Sequence, residues 1–228
     1  MFGTILCLVI LGITFTLFGK MSLNDPDFQD IAVTRSDKIW FGIYLAVFAV
    51  IIIRLPIYPK LYASIALPLL LISAYTDKKV KLLYNMVFYI LVPVAIILST
   101  VQSSILSTVQ SSIRIQPTGP EFSFQLCLQT LSVIIFAVIL EVFGMYGNGD
   151  KGMAIVCGCT WYLLRPDYGS VESLLMECIM LLIAEVIFYA RAIIEKNLDG
   201  PIKLKESRPL GPDLLFATTL VLIGGTFI

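Results

Sequence analysis

Two short polar stretches interrupt an otherwise apolar chain, and each carries one aspartate: "TDKKVKLLYN" at 76–85 and "YGNGDKG" at 146–152. Asp77 closes one apolar run and Asp150 opens another. Ionisable groups at the edge of a bilayer are costly and need a reason. Two carboxylates brought together do not both ionise readily, so one keeps a proton while the other takes one from water. Peptide-bond hydrolysis needs such a pair: a base to deprotonate water, and an acid for the carbonyl oxygen or the leaving amine. On spacing alone a second account stands beside it. Aspartates that bound membrane helices, with Lys78, Lys79 and Lys81 as interfacial anchors, need no catalytic partner.

The residues around the aspartates read in the same two ways. Gly147 and Gly149 allow a tight turn and a close approach of backbone to a ligand, and a plain inter-helix turn accounts for them equally well. Lys151 suits a substrate or oxyanion contact, or an interfacial lysine. Asn85 suits a hydrogen bond near the site, or a helix start. Asp150 falls in the first turn of an expected helix, where the dipole favours an anion, and Asp77 near a C-terminus, where it disfavours one. That makes Asp150 the readier base and puts the shared proton on Asp77, although such titrations belong to the pair. Glu141, Glu177 and Glu185 lie inside apolar runs and are kept out of the site, as structural pairs or proton relays.

The elements that must hold these residues follow from composition. The 228 residues are 58% hydrophobic and only 14% charged, against about 25% charged in soluble domains. The mean hydropathy is +0.91. About 20 apolar residues span a bilayer core as a helix, and such runs recur along the chain. Alternation at period 2 is absent, which argues against an outer-membrane barrel. The expected fold is an all-α polytopic transmembrane bundle of about eight helices, at roughly 1–19, 39–55, 58–75, 84–101, 123–145, 152–164, 171–191 and 214–228. The prolines of "PIYP" at 56–59 break the second run from the third. Residues 102–122 are polar and repeat "VQSSI", the pattern of an exposed loop. The first run lacks the basic start and small-residue cleavage site of a signal peptide, so it is read as a retained helix.

Zero net charge removes the electrostatic case for nucleic acid. The five cysteines fall in apolar runs with no CxxC pair and no histidine, which argues against structural zinc. No metal or other cofactor is expected. Lys and Arg mark the cytoplasmic side. With eight helices one face carries Lys20, Arg35, Lys38, Lys78, Lys79, Lys81, Lys151, Arg191, Lys196, Lys203, Lys205 and Arg208, and the other only Arg54, Lys60, Arg114 and Arg165. Both termini are then non-cytoplasmic. The connections 20–38, 76–83, 146–151 and 192–213 are cytoplasmic, and both aspartates lie on that face.

Three segments together resemble the type IV prepilin peptidases, a family of GxGD membrane aspartyl proteases. "GNGD" at 147–150 matches the GxGD signature. "DKKVKLLYN" at 77–85 is similar to the family's D-x6-P-N segment, and "RPLGPDLLFA" at 208–217 to the "PFGP" segment that opens the last helix. The resemblance divides the chain into N-terminal helices at 1–57 and a family-like core at 58–228, within one membrane peptidase domain. It departs from the family at Tyr84, which replaces the proline, and at Lys151, which follows Asp150 directly. The cysteine-bearing insertion linked to N-methylation is absent, so the resemblance implies a peptidase without methyltransferase activity. It implies Asp77 and Asp150 as catalytic, with Gly147, Gly149, Lys151 and Asn85 binding substrate or shaping the site. The implied substrate is a prepilin-like precursor, cut between its basic leader and apolar helix at the cytoplasmic face of a prokaryotic inner membrane. The 20–38 connection, with Asp25, Asp27, Asp30 and Asp37, either attracts such a leader or is a solvated loop. The other function classes are a catalytically silent assembly protein and a proton-coupled transporter.

Overall fold

The computed structural model of the chain describes residues 2–28, 31–80, 148–164, 170–199 and 210–227, with isolated positions between 90 and 135. Every element among the described residues is helical. They are α1 (Phe2–Asn24), a 3-10 turn (Pro26–Phe28), α2 (Arg35–Arg54), α3 (Ile57–Val80), α4 (Asn148–Leu164), α5 (Ser170–Asp199) and α6 (Gly211–Phe227). The expected runs 84–101 and 123–145, the "VQSSI" repeat, Asn85 and Gly147 lie outside the described residues.

Each helix outlasts the apolar run that predicted it. α1 continues to Asn24 instead of ending at 19, α2 begins at Arg35 instead of 39, and α5 reaches Asp199 instead of 191. Backbone hydrogen bonds continue through polar residues, so the apolar length marks the part able to sit in hydrocarbon and not the helix end. The shift matters most in α3. Asp77, Lys78 and Lys79, expected in a connection, are the last turn of that helix. At "PIYP" the break falls at Leu55, whose N–H still bonds the Ile51 carbonyl. Pro59 then sits in the first turn of α3, where its missing N–H costs nothing.

α3 is the central helix, packed by α1, α2, α4 and α6. Ala63, Ala66, Leu67, Leu69, Leu70, Leu71 and Ala74 are completely buried, as expected of a helix apolar on every side. α1 and α2 use α3 as their packing surface. α1 and α2 are long and apolar enough to cross a membrane, at mean hydropathies of 2.2 and 1.8. Only 17% and 22% of those stretches are buried, whereas the core helix of a soluble protein would be mostly covered. Ile5, Val9, Ile13 and Leu17 form an exposed stripe on α1, and Leu175, Ile179, Leu182, Val186, Tyr189 and Ile193 form another on α5.

One end of α2 is tied to the last turn of α3 by polar contacts. Thr34 and Asp37 form a reciprocal cap on α2, with the Thr34 N–H and hydroxyl donating to Asp37 Oδ2 at 2.9 and 2.7 Å. The same oxygen takes the Lys79 ammonium at 2.8 Å and the Tyr75 hydroxyl at 3.3 Å. Lys78 stands 5.4 Å over the Trp40 ring. Asp37 thus belongs to a structural joint and not to an acidic loop. Replacing it with alanine removes a cap, worth about 0.5–2 kcal/mol, together with a charged hydrogen bond. Thermal unfolding of the purified protein in detergent is expected to show Asp37→Ala destabilised by about 1–3 kcal/mol, while Asp27→Asn, at an exposed position, melts like the parent.

Candidate active site

Two helix ends, those of α3 and α6, meet at Asp77. Asp77 lies in the last turn of α3, and its side chain is buried, with 5% of the residue exposed. α6 opens at Gly211, and its first turn has an unusual need. An N-cap residue normally offers a side-chain oxygen to the first free N–H groups, but Leu210 occupies that position and has none. Pro212 has no N–H, and the Asp213 and Leu214 N–H groups both bond the Leu210 carbonyl at 3.0 Å. The Gly211 N–H is left, and it donates to Asp77 Oδ2 at 2.7 Å. A carboxylate from α3 therefore caps α6, joining residues 134 apart in sequence.

The closeness of this contact explains the glycine. A Cβ at position 211 would stand 2.8 Å from Asp77 Oδ2, 3.2 Å from Asp77 Cβ and 3.4 Å from the Ala74 Cα. Any side chain there pushes α6 away from the carboxylate. Two residues on, Asp213 Oδ2 meets the Arg191 guanidinium of α5 at 2.8 Å, which fixes the same turn from its other side. Asp77 thus experiences two helix ends of opposite effect. The C-terminus of α3 disfavours its charge and the N-terminus of α6 favours it, each by about 0.3–1 kcal/mol. A hydrogen bond to a charged acceptor is worth about 1.5–3 kcal/mol, so the Gly211 N–H is the larger influence.

Asp150 lies in the first turn of α4. The backbone places it, and the side chains of Asp150 and Lys151 lie outside the described residues. Its position follows from the packing of α4 on α3. Tyr62, near the start of α3, and Thr160, near the end of α4, have their hydroxyls 3.3 Å apart. That contact, with α4 packed along α3, fits an antiparallel pair with the start of α4 toward the Asp77 end. At 1.5 Å per residue Asp77 is about 22 Å beyond Tyr62 and Asp150 about 15 Å before Thr160, an axial offset of roughly 7 Å. With helix axes about 9 Å apart, this offset leaves the two backbone positions toward the same end of the α3–α4 pair.

Gly149 shares the first turn of α4 with Asp150. Glu177 and Glu185, kept out of the site, are buried on α5. A cavity of about 260 Å³ adjoins the site helix, lined by Phe15, Lys20, Phe41, Ile72, Tyr75 and Thr76 among others; it is largely apolar and does not include Asp77. Spacing reasoning missed the link between Asp77 and α6. "LGP" marked the segment through the family resemblance, but a backbone donor carries no residue signature. The missing capping side chain at Leu210 was the one usable signal.

The antiparallel register is open to a direct check. In a background without the five native cysteines, cysteines at positions 77 and 150 are expected to be joined by a bis-maleimide of about 10 Å reach. Cysteines at 77 and 163 are not, because Leu163 lies near the far end of α4. A cross-link at 77/163 and none at 77/150 would overturn the register.

Comparison of the chain with protein-family models, with curated proteins and with solved structures finds no match.

Proposed function

We propose that this chain is a multi-pass membrane aspartyl endopeptidase that cuts the basic leader from prepilin-like precursors, with Asp77 and Asp150 as its carboxylate pair. The observation that carries the proposal is the bond between Gly211 and Asp77. Three segments far apart in sequence carry the resemblance to type IV prepilin peptidases, and two of them, at Asp77 and Gly211, are in direct contact. That is the arrangement a shared active site requires, and a turn or an interfacial anchor has no need of it. A carboxylate buried at a helix end and held by a backbone donor is placed for proton transfer and not for solvation.

The membrane setting rests on the exposed apolar stripes of α1, α2 and α5 against an interior holding Ser64, Ser73, Thr76, Thr160 and Thr218. Soluble monomers rarely expose contiguous apolar surface on that scale. In this reading the chain crosses the cytoplasmic membrane of a prokaryote about eight times, with both termini outside. The aspartate end faces the cytoplasm, where a basic leader emerges from its apolar helix.

The test is co-expression with a candidate prepilin and scoring of leader removal. Asp77→Asn, which keeps an oxygen to accept the Gly211 N–H, and Asp150→Asn are each expected to reduce cleavage by about 10²–10⁴-fold, with membrane levels of the protein unchanged. Cleavage that persists in both variants refutes the pair. If the unaltered chain cuts no precursor, the silent assembly protein or the proton-coupled transporter is favoured instead.

A further inference from the structure

We infer that the cavity between α1, α2 and α3 holds an acyl chain of an anionic phospholipid, with Lys20 taking the phosphate of its headgroup. The inference rests on the membrane setting of the bundle and not on the peptidase reading.

The cavity measures about 260 Å³. Phe15 of α1, Ile31 and Val33 of the connection, Phe41 of α2 and Ile72 of α3 give it apolar walls. Left empty, a space of that size forfeits dispersion contacts along its whole lining. Water fills it poorly, because an ordered water needs about two to four polar partners. Four lining residues carry hydroxyls, and each has its proton committed elsewhere. Thr16 donates to the Gly12 carbonyl at 2.8 Å, Ser22 to that of Gly19 at 3.0 Å and Thr76 to that of Ser73 at 2.9 Å. Tyr75 donates to Asp37 Oδ2 at 3.3 Å. A hydrocarbon chain asks for none of these protons.

The cavity also lies at the right depth. The Lys60 ammonium at the start of α3 reaches the Thr4 hydroxyl at the start of α1 at 3.0 Å, so the two helices begin at the same end. Lys20 and the cavity are at the other end, level with Tyr75 and Thr76. The exposed apolar stripe of α1 runs through Ile5, Val9, Ile13 and Leu17 and stops one turn short of the cavity's outer rim. A lysine just past such a stripe, with Trp40 and Lys78 at the same end, marks the level of the lipid headgroups. In the orientation proposed above that level is cytoplasmic, where the leaflet carries its negative charge.

Charge selects the occupant. Lys20 is the charged residue of the lining; it is exposed and forms no ion pair among the described residues. The acidic residues nearby are engaged with other groups. Asp25 Oδ1 accepts the Asp27 N–H at 3.1 Å, and Asp37 takes the Lys79 ammonium. A phosphate complements the open ammonium, whereas the basic leader of a prepilin-like precursor is repelled by it.

The experiment titrates the full chain in detergent with dioleoyl phosphatidylglycerol or dioleoyl phosphatidylcholine and counts bound lipid by native mass spectrometry. The first phosphatidylglycerol is expected to bind about fivefold tighter than the first phosphatidylcholine, the effect of one lysine beside an anionic headgroup. Lys20→Gln is expected to abolish that preference and leave phosphatidylcholine binding unchanged. Gly19 lines the cavity, and a Cβ there meets nothing within 4 Å. Gly19→Leu therefore fills the space and is expected to lose the first adduct of both lipids. Gly12→Leu, with the same freedom on the same helix but outside the lining, keeps it. Should Gly19→Leu fail to fold by circular dichroism, Lys20→Gln decides alone. Equal binding of the two lipids by the parent chain, or a first adduct retained in folded Gly19→Leu, overturns the inference. Slowed precursor cleavage in Gly19→Leu with the adduct retained assigns the cavity to the precursor's helix instead. Because the titration needs no precursor, lipid preference without cleavage retires the peptidase reading alone, and cleavage without lipid preference retires this inference alone.

Discussion

A buried carboxylate and an uncapped helix each pose an energetic problem, and in this protein they solve one another. Taking an ion out of water without partners costs several kcal/mol, and a helix whose N-cap is leucine has a backbone donor with no local acceptor. The 2.7 Å bond from Gly211 to Asp77 answers both. It requires α6 to start at the last turn of α3, which brings Asp213 to Arg191 and so draws in α5. It also requires that position 211 carry no side chain. The glycine at 211 and the seating of α6 on the last turn of α3 both descend from one contact.

The N-terminal helices contribute at the same end by different means. Asp37 gathers Thr34, Tyr75 and Lys79 around one oxygen, and the rings of Trp40, Phe41 and Tyr75 pack beside it. The last turn of α3 is thereby held from the α2 side by an ion pair and from the α6 side by a backbone bond. That rigidity suits a carboxylate that must keep its orientation. The N-terminal helices and α4 and α6 all pack on α3.

The interior of the bundle is more polar than its surface stripes would suggest. Thr218 and Thr219 return their hydroxyls to carbonyls of their own helix at 2.7 Å, and Tyr62 with Thr160 links α3 to α4. Where apolar solvent surrounds a bundle, helices gain little from burying leucine against leucine, so small and hydrogen-bonding residues carry the association. Ala63, Ala66 and Ala74 on α3 fit that pattern by letting neighbouring backbones approach.

Helical class was legible in the sequence because run length and composition act locally: an apolar stretch long enough to span a bilayer satisfies its own backbone only as a helix. The aspartates could be singled out for a similar reason, since a charge at the edge of an apolar run is conspicuous. Helix ends were less legible. Apolar length marks the hydrocarbon boundary while hydrogen bonding continues beyond it, so Lys78 and Lys79 join Asp77 in the last turn of α3. The partner of Asp77 was not legible at all. A backbone N–H belongs to every residue but proline, and whether it is available depends on which neighbours have used the nearby acceptors. Only the packing of α6 against α3 decided that Gly211 would supply the donor to Asp77.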